Sequence, residues 1–267
     1  MKLKDKLWNE ANLEGSHNQW LGINSTMTPE EFAKEYNVPN AFVVPFKGNI
    51  VPPFDEKADR FSVLRETKWS IIGDSSSELP EDEYGYTDEI IKISKTHPNV
   101  TGAEIDDFFL LPEWRERITP QLMKNIRKKL NDNGLAFWSV FYEREFDIDI
   151  SEYLDCFDGF SFWVWDTQKI KNLDEYLNKF FEITKGKKTM LGIYLWDFAI
   201  SSPNQENNYH PIDPVLFEKQ LKVYFDLLIQ KKTEGIIICA NTVGDIDTEA
   251  NKILKKYIEK YGDIEIE

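Results

Sequence analysis

Eight short, mostly apolar runs alternate along this chain with segments that carry helix signals, and that alternation constrains the fold more than any other feature. The runs are Lys6–Glu10, Ala41–Phe46, Lys68–Gly73, Val100–Phe109, Leu135–Tyr142, Phe157–Asp166, Thr189–Asp197 and Gly235–Asn241. They are continuous rather than strictly alternating, as parallel strands covered on both faces require. Between them lie helix starts with a physical basis. Thr28-Pro-Glu-Glu31 has capping-box form and predicts a helix to about Tyr36. Thr119-Pro120 opens a helix that Asn133-Gly134 closes, glycine serving as the C-terminal cap. Asp213-Pro214 begins another, with Leu216, Leu221, Tyr224, Phe225 and Leu228 at helical spacing. Helices are also predicted over Tyr86–Thr96, Leu173–Thr184 and Thr248–Tyr261, with a short one over Ser151–Cys156. Residues 47–65, with Pro52-Pro53, predict a long loop holding one short helix, and a polar loop runs from strand seven to Pro211.

Strand and helix in eightfold alternation predict an α/β fold, a single (β/α)8 TIM barrel occupying residues 1–267 as one domain. The length of 267 residues suits it, such barrels being about 250 residues long. A doubly wound sheet would need a glycine-rich phosphate turn after an early strand. The loop after the first run, Glu14 to Trp20, lacks that spacing.

The charge balance excludes some partners. A net charge of -15 and a pI near 4.8 argue against nucleic-acid or anionic-membrane binding, since both need a basic footprint. Cys156 and Cys239 make neither a disulfide framework nor a metal cluster and read as buried free thiols. No run approaches the roughly 20 apolar residues of a membrane span. The basic start Met1–Trp8 has no apolar core of a signal peptide. The expectation is a cytoplasmic protein with no cofactor, acting on a small-molecule or oligosaccharide substrate.

A barrel of this kind carries its chemistry at the C-terminal ends of its strands. Side chains alternate along a strand, so Gly102, Glu104 and Asp106 point inward from strand four while Ala103 and Ile105 face helices. Gly159, Ser161, Trp163 and Trp165 face inward from strand six, and Gly192, Tyr194 and Trp196 from strand seven. The mouth then gathers Asp74, Asp106, Asp107, Glu143, Asp166 and Asp197 with Trp163, Trp165, Tyr194 and Trp196. His17 and His210 fall in loops at the same end, His97 at the opposite one. Asn241 lies at the end of strand eight. Glu104, buried mid-strand, must have a partner or be protonated. Paired carboxyls and flat aromatic faces are what a sugar site needs, and crowding carboxylates raises the pKa of one so that it stays protonated near neutrality.

On these residues the chain resembles the glycoside-hydrolase-like (β/α)8 barrels. Thr101-Gly-Ala-Glu-Ile-Asp-Asp-Phe108 is similar to the strand-four D-G-x-D-x-D-x-E signature of chitinase-type barrels, departing at Thr101 and at Phe108, where the family has its acid glutamate. That mechanism is not carried over. Barrel clans with carboxyls at strands four and seven imply Asp106 or Asp107 with Asp197; those using strands four and six imply Asp106 or Asp107 with Asp166. The expectation is hydrolysis of a glycosidic bond. Asp107 is the general acid, Asp106 its pKa-setting neighbour, and Asp197 or Asp166 the nucleophile or base. Trp163, Trp165 and Trp196 form the floor, with Tyr194, Glu143, His17, Asn241 and Asp74 also contacting substrate. Two alternatives stand beside it: a sugar-binding barrel without catalysis, and a metal-dependent barrel enzyme acting on a sugar or sugar phosphate through His17 and His210.

Overall fold

In the computed structural model, which describes residues 1–199 and 209–266, eight parallel strands close into a barrel. They are β1 (Leu7–Ala11), β2 (Asn40–Val43), β3 (Glu66–Ser70), β4 (Val100–Ile105), β5 (Ala136–Tyr142), β6 (Gly159–Trp163), β7 (Lys188–Tyr194) and β8 (Gly235–Cys239). Each pairs with its neighbours in sequence, and β8 returns to β1 in the register Leu7↔Ile236 through Glu10↔Cys239. This is the (β/α)8 architecture, and helices lie between successive strands.

The local signals act where the sequence puts them. Thr28 Oγ1 accepts the Glu31 N–H at 3.1 Å while Glu31 Oε2 accepts the Thr28 N–H at 2.9 Å, satisfying two orphan donors of the helix Pro29–Tyr36. Thr119 caps Pro120–Asn131, and Asp213 caps Pro214–Ile229 by accepting from Val215 and Leu216. The stretch 47–65 holds the helix Asp55–Phe61, and Ser151–Cys156 is one short 3-10 helix.

Strand seven departs from expectation. It ends at Tyr194, and Trp196–Asp197 belongs to a separate antiparallel ribbon with His210–Pro211. Of the polar loop that follows, residues 200–208 lie outside the described residues.

Inside the barrel, large and small side chains alternate across neighbouring strands. A Cβ on Gly159 would meet the Trp138 ring at 2.5 Å, and one on Gly192 the Trp163 ring at 2.0 Å. Trp163 and Trp138 therefore fill space that these glycines leave. On the outer face Phe162 stacks on Phe180 of the helix Leu173–Ile183, centroids 4.9 Å apart. Lys68 enters the interior from the N-terminal end, its Nζ 3.7 Å from the Trp8 ring centre, and burial pulls its pKa down to about 7. At that same end the termini meet: Leu3 N–H donates to Ile264 O at 2.9 Å and Ile266 N–H to Met1 O at 2.8 Å. No helix among the described residues is long and apolar enough to cross a membrane.

Candidate active site

The C-terminal mouth of the barrel holds a cavity of about 300 Å³. Its acidic side is built from three places in the chain: Glu10 on β1, Asp74 after β3, and Asp106 with Asp107 after β4. The chain leaves the sheet at Asp106, whose Oδ1 accepts the Asp107 N–H at 2.8 Å. That bond holds Asp107 at φ 50°, a left-handed backbone that aspartate tolerates better than most residues. Asp107 Oδ2 in turn accepts the Ser75 N–H at 3.1 Å, whereas Oδ1 is buried with no protein partner. Asp74 accepts from the hydroxyls of Ser76 and Ser77 in its own loop.

Crowding and burial set the protonation of this group. Burial, then the charges of Asp107 and Asp74, pushes Glu10 up to about 8, although Cys239 Sγ, 3.5 Å from Oε1, opposes the shift. Burial and then Asp107 raise Asp106 well above the usual carboxylate range. Glu104, one turn of the pleat deeper, is raised by burial and by Glu10, with Lys68 opposing; its Oε1 has no hydrogen bond. Of the two fates the sequence left open for Glu104, protonation fits this environment. A carboxyl set of this kind shares its protons, and its titration belongs to the set rather than to one member.

Much of the remaining lining is aromatic. Trp20 stacks between Phe46 and Phe198, centroids 5.6 and 5.2 Å away, and Trp165 stacks on Phe198 at 6.0 Å. Tyr194 meets the Trp165 edge at 5.8 Å, and Tyr142 closes the wall from the end of β5. His17 also lines the cavity. Its Nδ1 is 2.6 Å from Thr242 Oγ1, and burial together with Lys47 pulls its pKa down to about 4, so the imidazole is neutral at neutral pH.

Among residues singled out from sequence, Asp74, Asp106, Asp107, His17, Trp165 and Tyr194 thus meet at one cavity. The others do not line that cavity. Asp197 is buried in the ribbon, where Thr167 Oγ1 donates to Oδ2 and the Ala199 N–H to Oδ1; it does not line the cavity. Asp166 caps the 3-10 helix Thr167–Asn172 by accepting from Gln168. Glu143 lies behind the wall, where it accepts the Trp165 N–H at 2.8 Å and pairs with Lys169 at 3.1 Å. Trp163 sits below the cavity against a small void shared with Glu10, Glu104 and Asp106, and Trp196 is buried in the ribbon. Asn241 ties β8 to β1: it accepts from Asn9 and the Asn12 N–H and donates to the carbonyls of Asn12 and Met27. His210 is exposed, its ring bonded to the Pro211 carbonyl. Among the described residues no group of three His, Cys, Asp or Glu side chains is placed to hold a metal ion. Phe108, where the chitinase-type motif has its acid, is wholly buried against Phe109 and Tyr153.

Sequence reasoning missed Glu10, Tyr142, Trp20 and Phe198. Glu10, like Asp106, is a carboxylate near the end of a barrel strand, but the run before it is short and partly polar and gives little signal.

Fold and cavity together define a class: a (β/α)8 barrel whose mouth gathers carboxyls and aromatic side chains around one cavity. No protein-family model and no curated protein matches the chain. Among solved structures it is similar to the class V chitinase from Nicotiana tobaccum, at TM-score 0.62 and 9% identity over 94% of this chain and 98% of that one. It is also similar to the spore cortex-lytic enzyme SleL of Bacillus megaterium QM B1551, at TM-score 0.61 and 11% identity over 100% and 76%. The tryptophan synthase A-subunit of Pyrococcus furiosus aligns too, at TM-score 0.51 and 13% identity over 99% and 100%. At such identities the likeness is one of fold: the chain has the closed parallel barrel found in glycoside hydrolases, which other enzymes share.

Proposed function

We propose that this protein hydrolyses a glycosidic bond at the mouth of its barrel. One observation carries the reading: carboxyls from three separate segments converge on one cavity that is also lined by aromatic rings. Ring faces suit the apolar faces of sugars, and the chemistry of glycoside cleavage needs one carboxyl that gives a proton and another that acts at the anomeric centre. Glu10, held protonated near neutrality by burial and by its acidic neighbours, is the proton donor in this reading. Asp107, expected from the sequence as the acid, is in this reading the carboxyl that attacks or that activates water, with an oxygen that no protein group engages. Asp106 fixes the backbone of Asp107 through its 2.8 Å bond. The likeness to chitinase supports the reading at the level of architecture alone.

The test is release of reducing ends from a panel of oligosaccharides and aryl glycosides. Asp107→Asn and Glu10→Gln are expected to lower kcat/KM at least about 100-fold, the usual scale for loss of an acid or base. Variants that keep wild-type rates remove the assignment.

A second reading is a sugar-binding barrel without turnover, favoured by Phe108 packing into the core where chitinase-type barrels carry their acid. Calorimetry that registers saccharide binding in the absence of any cleavage product supports this alternative.

A further inference from the structure

We infer that the ligand of this cavity carries a positive charge: the site selects a sugar with a free amine, an ammonium at neutral pH, over its neutral or N-acylated counterparts. This rests on the carbohydrate reading above and narrows its substrate class. Four carboxyl side chains, Glu10, Asp74, Asp106 and Asp107, face one cavity, and Lys47 is the one lysine or arginine among the described residues that line it. His17 adds no charge near neutrality.

Two independent features point to a cationic occupant. Asp107 is 8% exposed, faces the cavity, and has one oxygen without any donor, a costly state for a buried acceptor unless a ligand supplies the proton. An ammonium offers three N–H donors and the compensating charge in one group. The second feature is the wall. Trp20, Tyr142, Trp165 and Phe198 line the same cavity, and aromatic rings attract cations strongly when water is excluded. Two protein cations already lie over rings that line the cavity. Lys47 Nζ is 5.2 Å from the centre of Phe46, and the Arg144 guanidinium is 4.7 Å from each of Tyr142 and Trp165. A neutral sugar would gain the apolar contact but bring neither the charge nor the three donors of an ammonium to Asp107.

Binding a cation next to Glu10 and Asp106 must favour their ionised forms, so complex formation expels protons. Calorimetry on the full chain, slightly below neutral pH, compares a glucosamine tetramer with its N-acetylated and glucose equivalents. Repeating the titrations in two buffers of different ionisation enthalpy counts the protons. The expected result is at least about tenfold tighter binding of the amine, proton release on binding, and weakening by added salt. Asp107→Asn and Glu10→Gln, each checked for the fold by circular dichroism, are expected to bring the amine-to-neutral ratio towards one. Neutral tetramers that bind as tightly as the amine overturn the inference and leave the carbohydrate reading intact. Failure of all three to bind overturns both.

Discussion

Glu10 shows what the barrel does to a single residue. Ordinary glutamate has a pKa of 4.5; burial first, then the charges of Asp107 and Asp74, pushes this one up to about 8. Between those pH values the folded state binds a proton that the unfolded state has released, so stability falls as pH rises. The contribution is fully favourable below about 4.5 and is lost by the time pH passes 8. Glu10→Gln removes the ionisable group but keeps the shape. The difference in Tm between variant and wild type should therefore move in the variant's favour from pH 5 to pH 8; a difference independent of pH would show that Glu10 ionises normally. Glu145, also pushed to about 8 by burial, remains in both proteins and leaves part of the slope in place. At this scale the sequence was only partly legible. Asp106 and Asp107 stood out because an apolar run leads straight into them. Glu10 follows a run of only three residues, Leu7-Trp8-Asn9, one of them polar, and reads as an ordinary strand terminus. Asp197 misled for the opposite reason, since nothing in Tyr194-Leu-Trp-Asp197 signals that the chain leaves the barrel and pairs with His210 instead.

At the scale of elements, periodicity and caps located most strands and helices, because each signal is local. The capping box at Thr28 and the proline starts at Pro120 and Pro214 need no knowledge of the remainder of the fold. The inward and outward faces of β4, β6 and β7 followed from the two-residue alternation alone. What alternation could not reveal is which glycine answers which tryptophan. Gly192 on β7 makes room for Trp163 on β6, and Gly159 on β6 for Trp138 on β5. Gly192→Ala puts a methyl group 2.0 Å from the indole, so the ring must move within a filled interior. Overpacking of this sort costs about 1–3 kcal/mol. Chemical denaturation should show that loss, and adding Trp163→Phe should recover part of it. If the double variant is as unstable as the sum of the singles, the contact between the two strands is not the cause.

For the whole molecule, the decisive contacts join residues far apart in sequence, and these were not legible. Eight runs implied closure, but not that Asn241 would bind both Asn9 and Asn12 across the seam between β8 and β1. Nor did composition show that the ends of the chain meet at the face remote from the cavity. There Lys2 and Lys4 both pair with Asp263 at 2.9 Å, and backbone bonds link Met1 and Leu3 to Ile266 and Ile264. Adjacent termini on a surface remote from the site make the barrel a candidate for circular permutation. The new ends belong in an exposed turn on that same face, and the segment Asn131–Gly134, between a helix and β5, is such a turn. A permutant starting at Gly134, with the original termini joined by a short glycine-serine linker, should fold with the same far-ultraviolet dichroism. Because the carboxyls and the aromatic wall lie at the other end of the strands, its saccharide affinity should stay within about twofold of the parent even if Tm drops by several degrees. A permutant that folds but loses the ligand would mean that the two ends of the barrel are coupled, and that the cavity depends on more than the strand ends that build it.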